Sequence, residues 1–255
     1  MLIPLRNYSN YSICESNIKI DDLIDFAVQK NLPAIALTDY NLLSGVLEFS
    51  IKCIKKGIQP IIGIDLDYFS NIGHVSRITI LSKSEIGFKN INILSTRINT
   101  ENNFVLSVNN IHEFSTDNIL IIGGLNSVFD GIDENDKNYK KLENEISNLK
   151  KIFNNELYFE YDPNLNNNFL NELSIKLKIN CFQSSFSFYK EPQDYQAIKI
   201  LHCVKNGEYI QNSSFKINNN YSLNQNTIEN NKDLIMNSFK ISNKIQFIIE
   251  EKPIS

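Results

Sequence analysis

The stretch from Leu32 to Tyr68 constrains the fold most strongly, because it combines strand, helix and strand patterns in immediate succession. Ala34 to Thr38 is a short apolar run of the kind found in buried parallel strands. The apolar residues that follow have helical spacing: Leu43, Val46, Phe49 and Cys53. Pro60 to Ile64 then returns as a second apolar strand. This βαβ unit predicts two neighbouring parallel strands joined by a right-handed crossover.

Acidic residues stand at the end of both predicted strands. Asp39 directly follows the first strand, and Asp65 and Asp67 lie at the end of the second. In parallel α/β folds, ligands and chemistry are placed at the carboxyl ends of the strands. We therefore expect these carboxylates to lie at one face and to mark the functional site.

The rest of the chain repeats this alternation, which predicts six or seven strand and helix pairs in a parallel sheet, either open or closed into a barrel. The further predicted strands are Ile3 to Leu5, Arg77 to Leu81, Ile119 to Ile122, Leu157 to Tyr161 and Asn180 to Gln183. The further helices have predicted buried faces at Leu23, Phe26 and Ala27; Ile86, Ile91 and Leu94; Leu142, Ile146, Leu149 and Phe153; Leu170, Leu173 and Leu177; Ala197, Leu201 and Val204, capped by Asp194; and Leu234, Ile241 and Ile245.

Length and charge limit the classes of protein that fit. A chain of 255 residues suits a single domain over residues 1–255, with the Asn-rich stretch 206–226 as a mobile insertion or hairpin. A net charge of −4 argues against autonomous DNA binding, which needs a positive surface. The sequence has no signal peptide and no apolar run long enough to cross a membrane, and its four cysteines form no metal-binding pattern. We expect a cytoplasmic protein with reduced thiols and no membrane partner.

Three motifs together resemble the PHP family: Leu5 to Ser16 (LRNYSNYSICES), Ala36 to Phe49 (ALTDYNLLSGVLEF) and Ile61 to Asp65 (IIGID). The resemblance extends through nearly the whole chain. It is strongest to the N-terminal PHP domains of DNA polymerase III alpha subunits, which are bacterial C-family replicative polymerases. It implies a distorted (β/α)7 TIM-like barrel with a cleft at the carboxyl ends of its strands.

In the family, this cleft carries metal ligands, and active members hydrolyse phosphoesters with up to three Zn, Mn or Fe ions. Several of those ligand positions differ here. The opening His-x-His falls on Arg6 and Tyr8, and a later His falls on Arg77. Thr-Asp-His appears as Thr38, Asp39 and Tyr40, and a Glu is replaced by Asp65. The late Asp-x-His falls on Ser185 and Ser187, and an early acidic residue is kept as Glu15.

The resemblance therefore implies a degenerate cleft with no metal and no catalytic residue. Three carboxylates remain, Glu15, Asp39 and Asp65, and we expect Arg6 and Arg77 to neutralise them. In related polymerases with such a cleft, this domain docks a separate proofreading exonuclease. The implied partners are the rest of the alpha subunit and that exonuclease, with DNA contacted only indirectly.

The resemblance also separates this chain from the chemistry of the whole polymerase. DNA-directed DNA polymerases are nucleotidyltransferases that need Mg, and the palm, fingers and thumb are not expected in this sequence. The chain alone is therefore not expected to polymerise DNA. Two alternatives stay open: a stand-alone metal-dependent PHP phosphoesterase, and an interaction module unrelated to replication.

Several other residues invite sharper interpretations that we do not favour. The three histidines, His74, His112 and His202, match no family ligand position, and adjacent helix residues such as His202 and Cys203 point about 100° apart. Ser184-Ser185 and Gly123-Gly124 are interpreted as turns rather than as a nucleophile and a phosphate cradle. We expect four tyrosines to fill the cleft by packing and hydrogen bonding: Tyr8, Tyr11, Tyr40 and Tyr68.

Overall fold

The computed structural model describes residues 2–129, 137–166, 168–213, 221–223 and 231–249. Within them, six strands form one sheet in chain order. The strands are β1 (Ala34–Leu37), β2 (Gln59–Phe69), β3 (Val75–Ser82), β4 (Asn118–Gly123), β5 (Leu157–Tyr161) and β6 (Cys181–Gln183). The α-helices are α1 (Ile20–Gln29), α2 (Val46–Lys55), α3 (Glu85–Thr100), α4 (Tyr139–Ile152), α5 (Asn168–Leu177), α6 (Tyr195–Asn206) and α7 (Lys232–Ser242).

The sheet is mixed, so the prediction of an all-parallel sheet is wrong at β3. β1 and β2 are parallel, as are β4, β5 and β6, but β3 runs antiparallel to both of its neighbours. The reason is that β2 continues to Phe69 and turns back through residues 70–74 without a crossover helix. Arg77 near the start of β3 consequently pairs with Asp67, and Thr79 pairs with Asp65.

The curled sheet encloses an inner apolar core and carries a larger outer core beneath its helices. Residues from all six strands share the inner core with Ile3 and Leu5 of the N-terminal segment. The inner residues are Ile3, Leu5, Ala34, Ala36, Ile61, Leu81, Ile119, Ile121, Tyr158, Phe182, Ile241 and Ile245. The alternate residues of these strands face the helices. The sequence therefore correctly predicted a barrel-like α/β fold.

The predicted first strand, Ile3 to Leu5, is not assigned as a strand. Its backbone nevertheless runs alongside β1, because Ala36 N–H donates to the Pro4 carbonyl at 2.9 Å and Thr38 N–H donates to the Asn7 carbonyl at 2.9 Å. This extended segment lies beside β1 where a further strand of a seven-stranded barrel was expected. It carries Arg6 and Tyr8 towards the carboxyl ends of the strands.

The amino ends of the strands are covered by α7 and the residues after it. Ile241 and Ile245 enter the inner core, as predicted, and the Ser238 hydroxyl accepts a hydrogen bond from Ile3 N–H at 3.0 Å. Gln59 Nε2 also donates to the Ser242 carbonyl at 3.2 Å. This end of the barrel is therefore closed by the chain itself, and the opposite end carries the polar residues.

The predicted buried face of α6 is wrong, and that of α3 is confirmed at Ile91 and Leu94 but wrong at Ile86. α6 buries Ile198 and Cys203, whereas Ala197 is exposed and Val204 is 69% exposed. α6 has apolar residues on several sides, so spacing alone does not choose its buried face. Asp194 precedes α6 without capping it, because its carboxylate accepts the Glu191 N–H. In α3, Ile86 of the first turn is exposed.

The predicted insertion at 206–226 lies partly outside the described residues. Within the described parts, Ile210–Asn212 forms a 3-10 helix, and Ser222 makes a parallel bridge to Tyr189. No helix in the described part of the chain is long and apolar enough to span a bilayer.

Candidate functional site

The cleft at the carboxyl ends of the strands contains one connected set of charged groups, which we call the cleft cluster. Its members come from the N-terminal segment, the loop that follows it, and strands β2, β3 and β5. They are Arg6, Tyr8, Glu15, Asp65, Arg77 and Glu160. Four of these six are almost fully buried, and the three that are charged, Arg6, Asp65 and Glu160, are paired with one another.

Arg6 is the central cation of the cleft cluster. Its Nε and Nη2 atoms each lie 3.2 Å from a different oxygen of Asp65. Its Nη1 donates to Glu160 Oε2 at 2.9 Å and to the Gly123 carbonyl at 3.4 Å. Burial alone lowers the pKa of Arg6, but Asp65 and Glu160 outweigh it and raise that pKa well above its ordinary value.

Asp65 is the anion on which the cluster converges. Its carboxylate is fully buried in β2 and receives both arginines, with Arg77 Nη1 at 3.4 Å from Oδ2. The Tyr8 phenol donates a short hydrogen bond to the same oxygen, and Thr79 Oγ1 donates to Oδ1 at 2.6 Å. Burial and the neighbouring Asp65 raise the pKa of Tyr8, so this phenol stays protonated.

Arg77 closes the mouth of the cleft. Its guanidinium lies 3.0 Å from Glu15 and 2.8 Å from Asp67, and it stacks 3.6 Å from the centre of the Tyr40 ring. Lys205 of α6 also pairs with Glu15 and lies 4.9 Å from the same ring. Burial raises the pKa of Glu15, but Arg77 and Lys205 outweigh it and lower that pKa. Glu15 thus links Lys205 of α6 to Arg77 of β3 at the mouth of the cleft.

Asp39 does not join the arginines, which corrects the expectation that they neutralise it. It is buried at the end of β1, and its carboxylate accepts hydrogen bonds from Ser9 N–H at 2.6 Å, the Ser9 hydroxyl at 2.7 Å and the Ser12 hydroxyl at 2.6 Å. Burial raises its pKa, against the effect of these hydrogen bonds. Asp39 therefore anchors the loop that carries Glu15.

This anchoring role predicts that Asp39→Asn is mild and Asp39→Ala is severe. An amide keeps the accepted bonds of Oδ1 and donates to the Ser9 hydroxyl. Alanine leaves the buried donors of Ser9 and Ser12 without an acceptor, which should lower the free energy of unfolding by about 3 kcal/mol. Because the pKa of Asp39 is raised in the folded protein, ionising this carboxyl above pH 4 lowers the stability of wild type but not that of Asp39→Asn. The stability of Asp39→Asn relative to wild type should therefore be highest at neutral pH. Urea unfolding from pH 4 to 8 measures the stability of both variants. Equal losses of unfolding free energy for Asp39→Asn and Asp39→Ala would contradict the anchoring role of Asp39.

Aromatic side chains fill the space beside the charges. Tyr8 packs edge-on against Phe186 and Phe188, with ring centres at 4.6 and 5.9 Å. The Arg6 guanidinium carbon lies 4.6 Å from the centre of the Phe186 ring. Tyr189, Tyr221 and Ile198 complete this buried aromatic cluster. Tyr8 and Tyr40 thus lie in the cleft as predicted.

Two of the predicted cleft tyrosines lie elsewhere. The Tyr11 hydroxyl donates to Glu48 on α2 at 3.2 Å, and the Tyr68 hydroxyl donates to Glu145 on α4 at 2.5 Å. Tyr68 falls on the outer face of β2 because side chains alternate along the strand, and Tyr11 packs against the same outer core. They stabilise helix packing rather than the cleft.

Gly123 is the last residue of β4 and Gly124 begins the bend after it, so only the second glycine lies in the predicted turn. The lack of side chains at both glycines shapes the cleft. Gly123 has φ +130° and Gly124 has φ +65°. A Cβ at Gly124 would lie 2.5 Å from Glu160 Oε2 and 3.1 Å from Arg6 Nη1. The turn therefore allows the arginine and the glutamate to meet.

The serines of the expected late motif do not enter the cleft cluster. Ser187 is buried, and its hydroxyl donates to the Ser185 carbonyl at 3.4 Å. The residue between them, Phe186, stacks on Arg6, and Ser184 before them donates to Glu160 Oε1 at 2.8 Å. Phe186 and Ser184 thus contact the cleft cluster from positions next to the two serines.

The remaining candidates have structural positions. His74 is in the β2 to β3 turn, His112 is in the 3-10 helix Ile111–Phe114, and His202 contacts Asn206 on α6. All four cysteines are free, as predicted, but only two are buried: Cys53 and Cys203.

The donor set does not fit the metal centre of active PHP members. The carboxylates of Asp65 and Glu160 both face the guanidinium of Arg6, so a divalent cation would compete with a fixed positive charge. Within the described residues, no three His, Cys, Asp or Glu side chains converge closely enough to hold a metal ion. The cleft is organised by arginine and carboxylate pairs.

Sequence reasoning missed Glu160 and Lys205 as members of the site. Glu160 lies near the carboxyl end of β5, the kind of position at which the sequence placed Asp65, so the rule that pointed to Asp65 also applied to Glu160. Lys205 gave no comparable signal, because its contact with Glu15 spans 190 residues of sequence.

Comparison with known sequences matches residues 4–164 to the PHP domain family. The DNA polymerase III subunit alpha of Buchnera aphidicola is 29% identical over 267 residues, covering 97% of this chain and 23% of the relative. The subunit of the same name from Rickettsia felis is 39% identical over 100 residues, covering 39% of this chain and 8% of the relative. The chain thus spans less than a quarter of the length of these relatives.

Among solved structures, an amidohydrolase from Chromobacterium violaceum superposes with a TM-score of 0.50 at 10% identity. The superposition covers 79% of this chain and 97% of that chain. At this identity the likeness concerns the fold alone.

Proposed function

The chain belongs to the PHP domain family, and from that premise we propose that it acts in bacterial DNA replication as a non-catalytic PHP domain of the DNA polymerase III alpha type. One observation carries the proposal. The Arg6 guanidinium pairs with two buried carboxylates of the cleft, Asp65 and Glu160, which leaves neither of them free to bind a metal ion. The family membership and the relatives' names support the assignment to replication.

In this role the domain would be a structural platform within a larger polymerase. DNA synthesis, with its Mg-dependent nucleotidyl transfer, belongs to the complete alpha subunit. The proposed partners are the rest of that subunit and a proofreading exonuclease, and DNA is reached only through them. The proposed location is the cytoplasm, where bacterial chromosomes are replicated.

The alternative, a stand-alone metal-dependent phosphoesterase, requires ligands that this cleft lacks. Arg6, Tyr8 and Tyr40 stand at family histidine positions, and each is engaged with a carboxylate of the cleft. We expect no hydrolysis of a generic phosphoester in the presence of manganese or zinc. Turnover that depends on added metal and is abolished by EDTA would contradict the non-catalytic role.

The replication role is tested by immunoprecipitation from native cells with an antibody raised against this domain. Mass spectrometry should recover polymerase alpha peptides and a 3′–5′ exonuclease. Recovery of neither from cells in which the domain is abundant would favour an interaction module unrelated to replication.

A further inference from the structure

We propose that the cleft is a guanidinium-binding site that the chain fills with its own Arg6, and that removing this side chain leaves a site for a free guanidinium ion. The proposal rests on the metal-free cleft of the proposed function and goes beyond it. It assigns to the cleft a ligand chemistry in place of the family's metal ions.

The two terminal nitrogens of the guanidinium are met by fixed acceptors. Nη2 donates to Asp65 Oδ2 at 3.2 Å, and Asp65 Oδ1 lies 3.2 Å from Nε as an ion pair without a hydrogen bond. Glu160 and the Gly123 carbonyl face Nη1 at 2.9 and 3.4 Å. A planar ion with several N–H donors uses such a paired arrangement, whereas a divalent metal ion needs oxygen ligands distributed around a sphere.

The surroundings of the ion fit its flat shape and its size. The Phe186 ring lies with its centre 4.6 Å from the guanidinium carbon, a distance at which a cation is attracted to an aromatic face. At Gly124, even a methyl group would come within 3.1 Å of Nη1. The site is therefore closely fitted around the guanidinium.

The acceptors are held in place by groups other than Arg6. Thr79 donates to Asp65 Oδ1 at 2.6 Å, and Ser184 donates to Glu160 Oε1 at 2.8 Å. Both carboxylates thus keep their orientation when the arginine side chain is removed. Arg77, 3.4 Å from Asp65, adds a positive charge that disfavours a doubly charged metal more than a singly charged guanidinium.

The test is chemical rescue of Arg6→Ala, followed by thermal unfolding. Leaving Asp65 and Glu160 without this counter-ion should lower the Tm by about 10 °C. Millimolar guanidinium chloride should raise the Tm of Arg6→Ala in a saturable manner, since a ligand that binds the folded state stabilises it. The Tm of Arg6→Ala should not rise with sodium chloride at equal concentration, with manganese or with zinc. The Tm of wild type should not rise with guanidinium chloride.

Arg97→Ala is the matched control. Arg97 also pairs with two glutamates, Glu101 and Glu113, and stacks 4.3 Å from the centre of the Phe104 ring, but it is about one-third exposed. We expect its loss to shift the Tm by only about 2 °C and to give no rescue by guanidinium.

Each other outcome has a defined meaning. An unchanged Tm for Arg6→Ala, or a lowered Tm that guanidinium does not restore, overturns the guanidinium site and leaves the replication role standing. Restoration by manganese or zinc overturns both the guanidinium site and the metal-free cleft. Should Arg6→Ala be insoluble, Arg6→Lys keeps the charge without the planar fork, and a wild-type Tm for that variant overturns the proposal.

Discussion

Asp65→Asn is expected to lower the free energy of unfolding by about 4 kcal/mol, because it removes the anion shared by the buried Arg6 and the partly buried Arg77. The carboxylate is fully buried and also accepts hydrogen bonds from Tyr8 and Thr79. An amide of the same size cannot balance either positive charge, and its nitrogen would face N–H donors. Urea unfolding at neutral pH measures the loss.

Asp67→Asn is the matched control, since Asp67 lies two residues further along the same strand. It also pairs with Arg77, at 2.8 Å, and accepts from the Tyr40 hydroxyl at 2.7 Å, but its side chain is 48% exposed. We expect a loss of about 1 kcal/mol or less for this exposed pair. Similar losses for the two variants would show that the cleft cluster adds nothing beyond a surface ion pair.

Gly123→Ala is expected to prevent folding or to cost more than about 4 kcal/mol, which places it among the most damaging substitutions. Gly123 has φ +130°, and its added Cβ would lie 2.3 Å from the backbone carbonyl oxygen of Glu160, its register partner on β5. Backbone cannot move aside without breaking the pairing of β4 with β5, and that pairing brings Glu160 to Arg6. Circular dichroism and the soluble fraction after expression report the effect.

Gly207→Ala provides the comparison for Gly123→Ala. Gly207 also has a positive φ, +65°, at the end of α6, but a Cβ there would meet nothing within 4 Å. Its replacement should cost about 1 kcal/mol and leave a folded protein. A soluble Gly123→Ala with the stability of Gly207→Ala would contradict the close approach of β4 and β5.

The part of the fold that could be predicted from the sequence is the part whose pattern is local. The Leu32 to Tyr68 unit is confirmed, because its apolar strands and amphipathic helix each carry a periodic signal. The antiparallel β3 was missed because it depends on where β2 ends, and β2 continues through Asp67 to Phe69 into residues of mixed polarity. The face of α6 was missed because several of its faces are apolar.

The sequence predicted several of the residues that meet in the cleft, but not which carboxylate pairs with which arginine. Arg6, Tyr8, Asp65 and Arg77 meet as the aligned motifs suggested. Which carboxylate each arginine contacts depends on side-chain direction. Asp39 turns to the serines of its loop, and Glu160, which was not predicted, pairs with Arg6 instead. Three-dimensional packing determines which of several nearby groups pair, so these contacts cannot be inferred from the order of residues in the sequence.

We infer that arginine side chains, rather than metal ions, balance the buried carboxylates of the cleft. The most direct measurement is the Tm of the wild-type chain after treatment with EDTA, compared with its Tm in added manganese or zinc. We expect the same Tm in all three conditions, because Arg6 and Arg77 already compensate Asp65 and Glu160. A Tm that falls with EDTA and rises on adding either metal would contradict it.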